Sequence, residues 1–315
     1  MRALASFILR GYVQAVIITA VTAVLSLMLP PLSHISGAAV GLCTLRNGIR
    51  QGIGVMAGGA VILALVGYFS NVAQGMTLIL ILAMVLVWWG PAAIAATILR
   101  SYRSFGVVLM VLGGISAFAI AVVYMVFDDV SGWWQQILST MMGPLLESAS
   151  LPVAKGDIQQ LIVSLSNIMT GFVAATMVLS AMINTFIARW WQAMLFNPGG
   201  FREEFLALKL SRRAALLSLI IIISSAFVSG NVAHYIQNLL IVILVIFALQ
   251  GLSLLHVVVF ARKIGGGWLA AVYLPMLFFL PQVILTLAVL GLADSVFEIR
   301  DRVKKRGEST DSGSN

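Results

Sequence analysis

Apolar runs long enough to cross a lipid bilayer recur along nearly the whole chain, with almost no charge inside them. Crossing the hydrocarbon takes roughly 20 residues of helix. Gly11–Leu29, Gly52–Phe69, Met76–Leu99, Phe105–Phe127, Leu161–Ala188, Ala214–Val228, Tyr235–Phe260 and Trp268–Ala293 are of that length or near it. Soluble domains carry about 25% charged residues; this chain carries 10%, with 61% hydrophobic, so it lacks the polar surface to face water. In lipid every backbone polar group must be satisfied internally, and uninterrupted runs of this length do so as helices. The expected fold is all-α: a polytopic membrane bundle of about eight to ten membrane-inserted helices in a chain of 315 residues.

Within that frame the chain divides by its polar intervals. An N-terminal bundle is expected over 1–128, an extracytoplasmic interfacial segment over 129–160, and a C-terminal bundle over 161–300. A tail over 301–315 turns basic and then Ser/Gly-rich, a composition that favours disorder at its end. The first 30 residues imitate a signal peptide, but Leu29-Pro30-Pro31-Leu32 offers no small-residue cleavage site, so the segment reads as an uncleaved first helix. Ile35–Leu45 is too short for an ordinary span and fits a short tilted or re-entrant helix. Pro91 is expected to kink its span. Pro275 and Pro281 are expected to split the last run at Leu280 into two short helices forming a hairpin. In the long polar interval Trp133, Trp134, Ile137, Leu138, Met141, Leu145 and Leu146 fall at helical spacing, which predicts a helix at headgroup depth.

Lysine and arginine give the orientation. With the N-terminus inside and Ile35–Leu45 crossing, Arg46, Arg50, Arg100, Arg103, Arg189, Arg202, Lys209, Arg212, Arg213, Arg262 and Lys263 all face the cytoplasm. Only Lys155 among the basic residues before the tail then lies outside, which is the positive-inside pattern of a bacterial inner membrane protein. The hairpin would return Arg300 and the tail, with Arg302, Lys304, Lys305 and Arg306, to the cytoplasm as well. The net charge of +8 is therefore topogenic, scattered in short clusters, and no nucleic-acid partner is expected.

The chain lacks the signatures of several chemistries. The eleven acidic residues read as loop or tail residues, none inside an apolar run. Proton-coupled pumps carry an embedded carboxylate and aspartyl intramembrane proteases need two, so neither class fits. There is no G-x-x-x-x-G-K-[ST] phosphate loop, no H-E-x-x-H and no G-x-S-x-G. His34, His234 and His256 have no metal-ligand spacing, and Cys43 stands alone in an apolar stretch as an inert thiol. No catalytic residue, metal or cofactor is expected.

What polar chemistry remains embedded is amide. Asn167, Asn184, Gln237, Asn238, Gln250 and Gln282 each need a partner in lipid, either a neighbouring helix or a ligand. As a ligand-lining set, Asn167, Asn184, Gln237, Asn238 and Gln250 would be joined by Trp88 and Trp89 as stacking walls. Gly54, Gly58 and Gly59 form a small-residue face for close helix packing, and Gly113-Gly114 a second. On the cytoplasmic side Asn197-Pro198-Gly199-Gly200 signals a turn, and Phe201, Phe205 and Leu208 then share a helical face through Leu210. That amphipathic helix suits the inner membrane surface or a protein partner, with Phe201, Arg202 and Phe205 as docking residues.

The stretch Asn197–Phe205, the Gln250-Gly251-Leu252-Ser253 segment and the ending Gly291-Leu292-Ala293-Asp294-Ser295-Val296-Phe297-Glu298-Ile299-Arg300 resemble the YybS-like family, bacterial membrane proteins without an assigned reaction. The first half, with its proline-terminated helix, short second segment and small-residue third helix, more distantly resembles the S-components of energy-coupling factor vitamin transporters. That likeness implies a solute-binding or transport subunit without its own ATPase. The alternative is a non-transporting scaffold that recruits a cytoplasmic or membrane partner, with membrane lipids as the other contact.

Overall fold

The computed structural model describes residues 1–70, 74–148, 155–262, 265 and 267–303. The expectations placed on Lys263, on Lys304, Lys305 and Arg306, and on the end of the tail lie outside them. The helices are α1 (Arg2–Ile8), α2 (Tyr12–Leu25), α3 (Leu32–Asn47), α4 (Ile49–Phe69), α5 (Gln74–Ala83), a π-helical turn (Met84–Trp89), α6 (Gly90–Tyr102), α7 (Phe105–Val126), α8 (Val130–Ser148), α9 (Lys155–Ser166), α10 (Met169–Phe196), α11 (Gly200–Leu206), α12 (Arg212–Ser224), α13 (Gly230–Ala261), α14 (Gly267–Phe278) and α15 (Leu280–Phe297). Among the described residues there is no strand. Among the described residues six helical stretches are long and apolar enough to cross a membrane: α4, Gly75–Tyr102, α7, α10, α13 and α15; α2 and α14 are shorter apolar helices. The chain is an all-α, multi-pass membrane protein.

It forms two compact units that are not its sequential halves. One comprises Met1–Leu109 with Met177–Leu210, the other Met110–Thr176 with Ser211–Asn315. Compactness follows which helices pack together, so the later part of α10 belongs to the first unit.

The first unit is built around α3. At 16 residues it is about 24 Å long, and one helix without a break. Eleven of its residues are buried, mostly Gly, Ala and Ser. Their small size lets α2, α4 and α6 close around it, and a helix shielded by protein does not need a lipid-facing apolar coat. On α4, Gly54 takes Tyr12, whose hydroxyl donates to the Gly54 carbonyl at 2.6 Å. A Cβ on Gly58 would meet Val16 at 2.7 Å, and one on Gly59 the Trp89 ring at 3.0 Å. The small-residue face is thus a packing surface. The irregularity near Pro91 is a π turn: the Gly90 N–H bonds the Val85 carbonyl five residues back, immediately before the residue that cannot donate.

In the second unit Gly113 lies under Ile246, whereas Gly114 has open space. The run expected over Leu161–Ala188 is broken at Asn167-Ile168 between α9 and α10. The polar interval holds two helices, α8 and α9, and Trp134 of α8 donates to Thr170 Oγ1 at 2.8 Å; the Leu145, Leu146, Glu147 and Lys155 side chains lie outside what the structure describes. The last run is divided as expected, with its joint at Phe279 (φ −128°, ψ 42°). Pro281 sits in the first turn of α15, where a missing N–H leaves no helix bond unmade.

Candidate functional site

The sequence-nominated amides are placed as follows. Asn184, Asn238 and Gln250 are fully buried. Asn184 Nδ2 donates to the Trp88 carbonyl at 3.1 Å, and its Oδ1 lies 2.8 Å from His34 Nδ1. That oxygen can only accept, so His34 donates from Nδ1. Asn238 Oδ1 accepts from the Gly171 N–H, and its Nδ2 lies 2.7 Å from the Asn167 and His234 carbonyls and 3.0 Å from the Tyr124 hydroxyl. Asn167 contributes its backbone to this knot. Gln237 and Gln282 are exposed on their helices. Trp89 is buried and donates to Ser36 Oγ at 2.8 Å, while Trp88 is half-buried.

Gln250 leads to a carboxylate that the reading of apolar runs left outside. Asp294 stands one residue past the last apolar run, which ends at Ala293, and so reads with the loop and tail acids; it lies inside α15 and is completely buried. Its Oδ2 accepts from Gln250 Nε2 at 3.0 Å and from Arg300 Nε at 2.7 Å, and its Oδ1 from the Arg300 backbone N–H at 2.9 Å. Ser295 donates to Gln250 Oε1 at 3.0 Å. Here α13 and α15 touch backbone to backbone: a Cβ on Gly251 would overlap the Leu287 carbonyl, and one on Gly291 the Phe247 carbonyl. The two stretches Gln250-Gly251 and Gly291–Arg300 therefore form one lock. Glu298 in the left-handed region (φ 54°) ends α15 and turns Arg300 back onto Asp294. The carboxylate, engaged from both helices, fastens the end of α15 to α13.

The docking residues also have internal partners. Phe201 and Phe205 stack at 6.0 Å, and each meets Phe186 edge-on, at 6.1 and 5.5 Å. Phe105 meets Phe201 at 6.2 Å and Phe186 at 4.9 Å. Arg202 and Glu203 are on the exposed side of α11. The helix expected through Leu210 ends at Leu206, because Gly106 has no side chain and the Lys209 backbone descends onto α7 there, burying Leu208 and Leu210.

The residues that come together without having been grouped beforehand are arginines. A cavity of about 460 Å³ is lined by Leu45, Arg46, Leu99, Arg100, Arg103, Arg189, Gln192, Phe196, Asn197 and Glu204. Three of the arginines have side-chain partners, and Arg103, exposed, is placed by its backbone. Arg46 lies over the Phe196 ring at 4.3 Å. Arg100 Nη1 leans on the Thr44 and Leu45 carbonyls, at 3.4 and 3.3 Å, at the end of α3. Arg103 adopts the left-handed conformation (φ 51°) that caps α6. Arg189, nearly buried, makes a two-pronged pair with Glu204, Nε–Oε2 and Nη2–Oε1 both 2.7 Å, and its Nη1 reaches Gln192 Oε1 at 3.3 Å. The pair ties α11 to α10. Separations of up to about 150 residues hide this grouping from any local motif; the available signal was that the four basic residues at these helix ends are all arginine. Among the described residues no group of three or more His, Cys, Asp or Glu side chains is placed to hold a metal ion.

No curated protein and no solved structure matches the chain, and nothing in these comparisons supports the likeness of its first half to S-components. A family model described as "Predicted membrane protein (DUF2232)" does match, over residues 17–295, which fits the YybS-like resemblance and takes in the amide knot, the arginine cavity and most of the α13–α15 lock. The chain belongs to this family of predicted membrane proteins.

Proposed function

We propose that this protein is a scaffold of the bacterial inner membrane that works through its cytoplasmic face and does not carry solute through its bundle. The observation that carries the reading is the engagement of the embedded amides. Asn184, Asn238 and Gln250, the buried members of the nominated ligand set, are each bonded to neighbouring helices at both ends of the amide. A solute would have to break those bonds to be recognised, and unmade buried bonds cost about 1–3 kcal/mol each. Polar chemistry that is not part of the helix packing sits instead at the ends of α3, α6 and α10, with the exposed Arg202 and Glu203 of α11 nearby in sequence. By the positive-inside rule that side is the cytoplasm, with the N-terminus and tail on it and residues 128–160 opposite.

The test is uptake and thermal stability in parallel. Purified protein reconstituted in vesicles is expected to accumulate no vitamin or nucleoside above empty vesicles, and its midpoint in detergent is expected to stay put across the same panel. Uptake that disappears in Asn238→Ala protein with an unchanged midpoint would restore the solute-binding reading and discard the scaffold.

A further inference from the structure

We propose that the cavity between the C-terminal ends of α3, α6 and α10 is a binding site for a phosphate group, with Arg46, Arg100 and Arg103 as its ligands and Arg189 as a positioning residue. The inference rests on the reading of the basic face as the working face.

The charge balance is the first argument. Four guanidiniums and one carboxylate line the cavity. Helix C-termini attract cations, so the arginines could serve only as caps. Each helix end contributes about half a negative charge, and three ends meet here. After Glu204 and the three dipoles are counted, about one and a half positive charges remain uncompensated. A phosphate diester carries about one negative charge and a monoester about one and a half to two. Topogenic arginines need only face the cytoplasm; nothing in that role requires them to line one concavity.

Preorganisation is the second argument. Arg46 is steadied by a ring and Arg100 by carbonyls at long range, contacts that fix the side chains without neutralising them. Glu204 is engaged twice with Arg189, so it is held away from the other three. All four cations are arginine, whose planar fork fits two phosphate oxygens at once, which a lysine ammonium cannot do. The volume lies within the range of small-ligand pockets and admits more than a bare phosphate, so a phosphate ester fits. The ester comes either from an anionic lipid headgroup or from a soluble metabolite; the chemistry recognised is the same.

The experiment uses the full-length protein in an uncharged detergent. Its thermal midpoint is measured with phosphatidylglycerol, with phosphatidylcholine, with inorganic pyrophosphate and with glycerol phosphate, alongside R100Q/R103Q and, as a control from outside the cavity, R50Q. Phosphatidylglycerol or a soluble phosphate is expected to raise the midpoint of the wild type and R50Q. Its apparent affinity should fall at least about tenfold in R100Q/R103Q, the loss of charge-assisted hydrogen bonds. Stabilisation by the lipid alone assigns a headgroup site; stabilisation by soluble phosphates assigns a metabolite site; both carry the proposal. Should R100Q/R103Q fail to fold, phenylglyoxal labelling of the wild type replaces it: the effective ligand must protect Arg46, Arg100 and Arg103 and leave Arg50 reactive. No stabilisation by any phosphate, an equal affinity loss in R50Q, or uniform labelling overturns the proposal. Those results leave the scaffold reading standing, whereas solute uptake removes the scaffold reading and leaves the phosphate site to be judged by its own arms.

Discussion

Replacing Asp294 by alanine tests the lock between α13 and α15 most directly. The carboxylate is wholly buried and accepts three hydrogen bonds, two of them from Arg300, itself 3% exposed. Removing it leaves a guanidinium buried without its counter-charge, a change that costs about 3–5 kcal/mol in soluble proteins. For a unit of this size that is on the order of 10 °C in the unfolding midpoint. Asp294→Asn keeps the shape and one acceptor and should fall between. The informative companion is the double variant Asp294→Leu with Arg300→Met, which removes both charges and returns close to wild type, since a buried pair replaced by apolar groups is often neutral or stabilising. Midpoints followed by tryptophan fluorescence or dye binding in one detergent complete the cycle. If Asp294→Ala unfolds with the wild type, or the double variant is no more stable than Asp294→Ala, the pair is not what secures the end of α15.

Other perturbations probe other links. Gly251→Ala should prevent the α13–α15 contact, because its Cβ would overlap the Leu287 carbonyl, whereas Gly114→Ala, with open space, should leave the midpoint within a degree or two; protease resistance reads the difference. Asn238→Ala should cost about 2 kcal/mol, several bonds at the ~0.6 kcal/mol average of membrane helix hydrogen bonds, measured as a lowered midpoint insensitive to any solute. Arg189→Gln should release α11, so that a spin label at Glu203 becomes more mobile while one at Ser6 does not change. Reporter fusions at Gln136 and Gly307 should report opposite sides, Gln136 outside; a periplasmic signal at Gly307 would remove the α14–α15 hairpin from the topology.

The membrane as solvent, the helical fold and the principal helices were legible in the sequence, because hydropathy is a property of a run and the demand for internally bonded backbone acts on each run separately. The small-residue faces were legible for the same reason: Gly54, Gly58 and Gly59 fall on one side of one helix whatever packs there. The boundaries that failed were set by tertiary contacts. α11 stops at Leu206 because Gly106 receives the Lys209 backbone, and α9 and α10 part at Asn167, whose carbonyl is bonded by Asn238. Asp294 was missed because a window of apolar residues ends where a charge begins, while burial extends as far as partners reach it. The amides announced a need for partners, but whether helix or ligand met it depended on residues such as His34 and Asn184, 150 positions apart. The arginine cavity lay beyond sequence reasoning for the same cause: each of its arginines follows from a local rule about the ends of helices, and only the packing of α3, α6 and α10 around one point brings their charges close enough to act on a single anion.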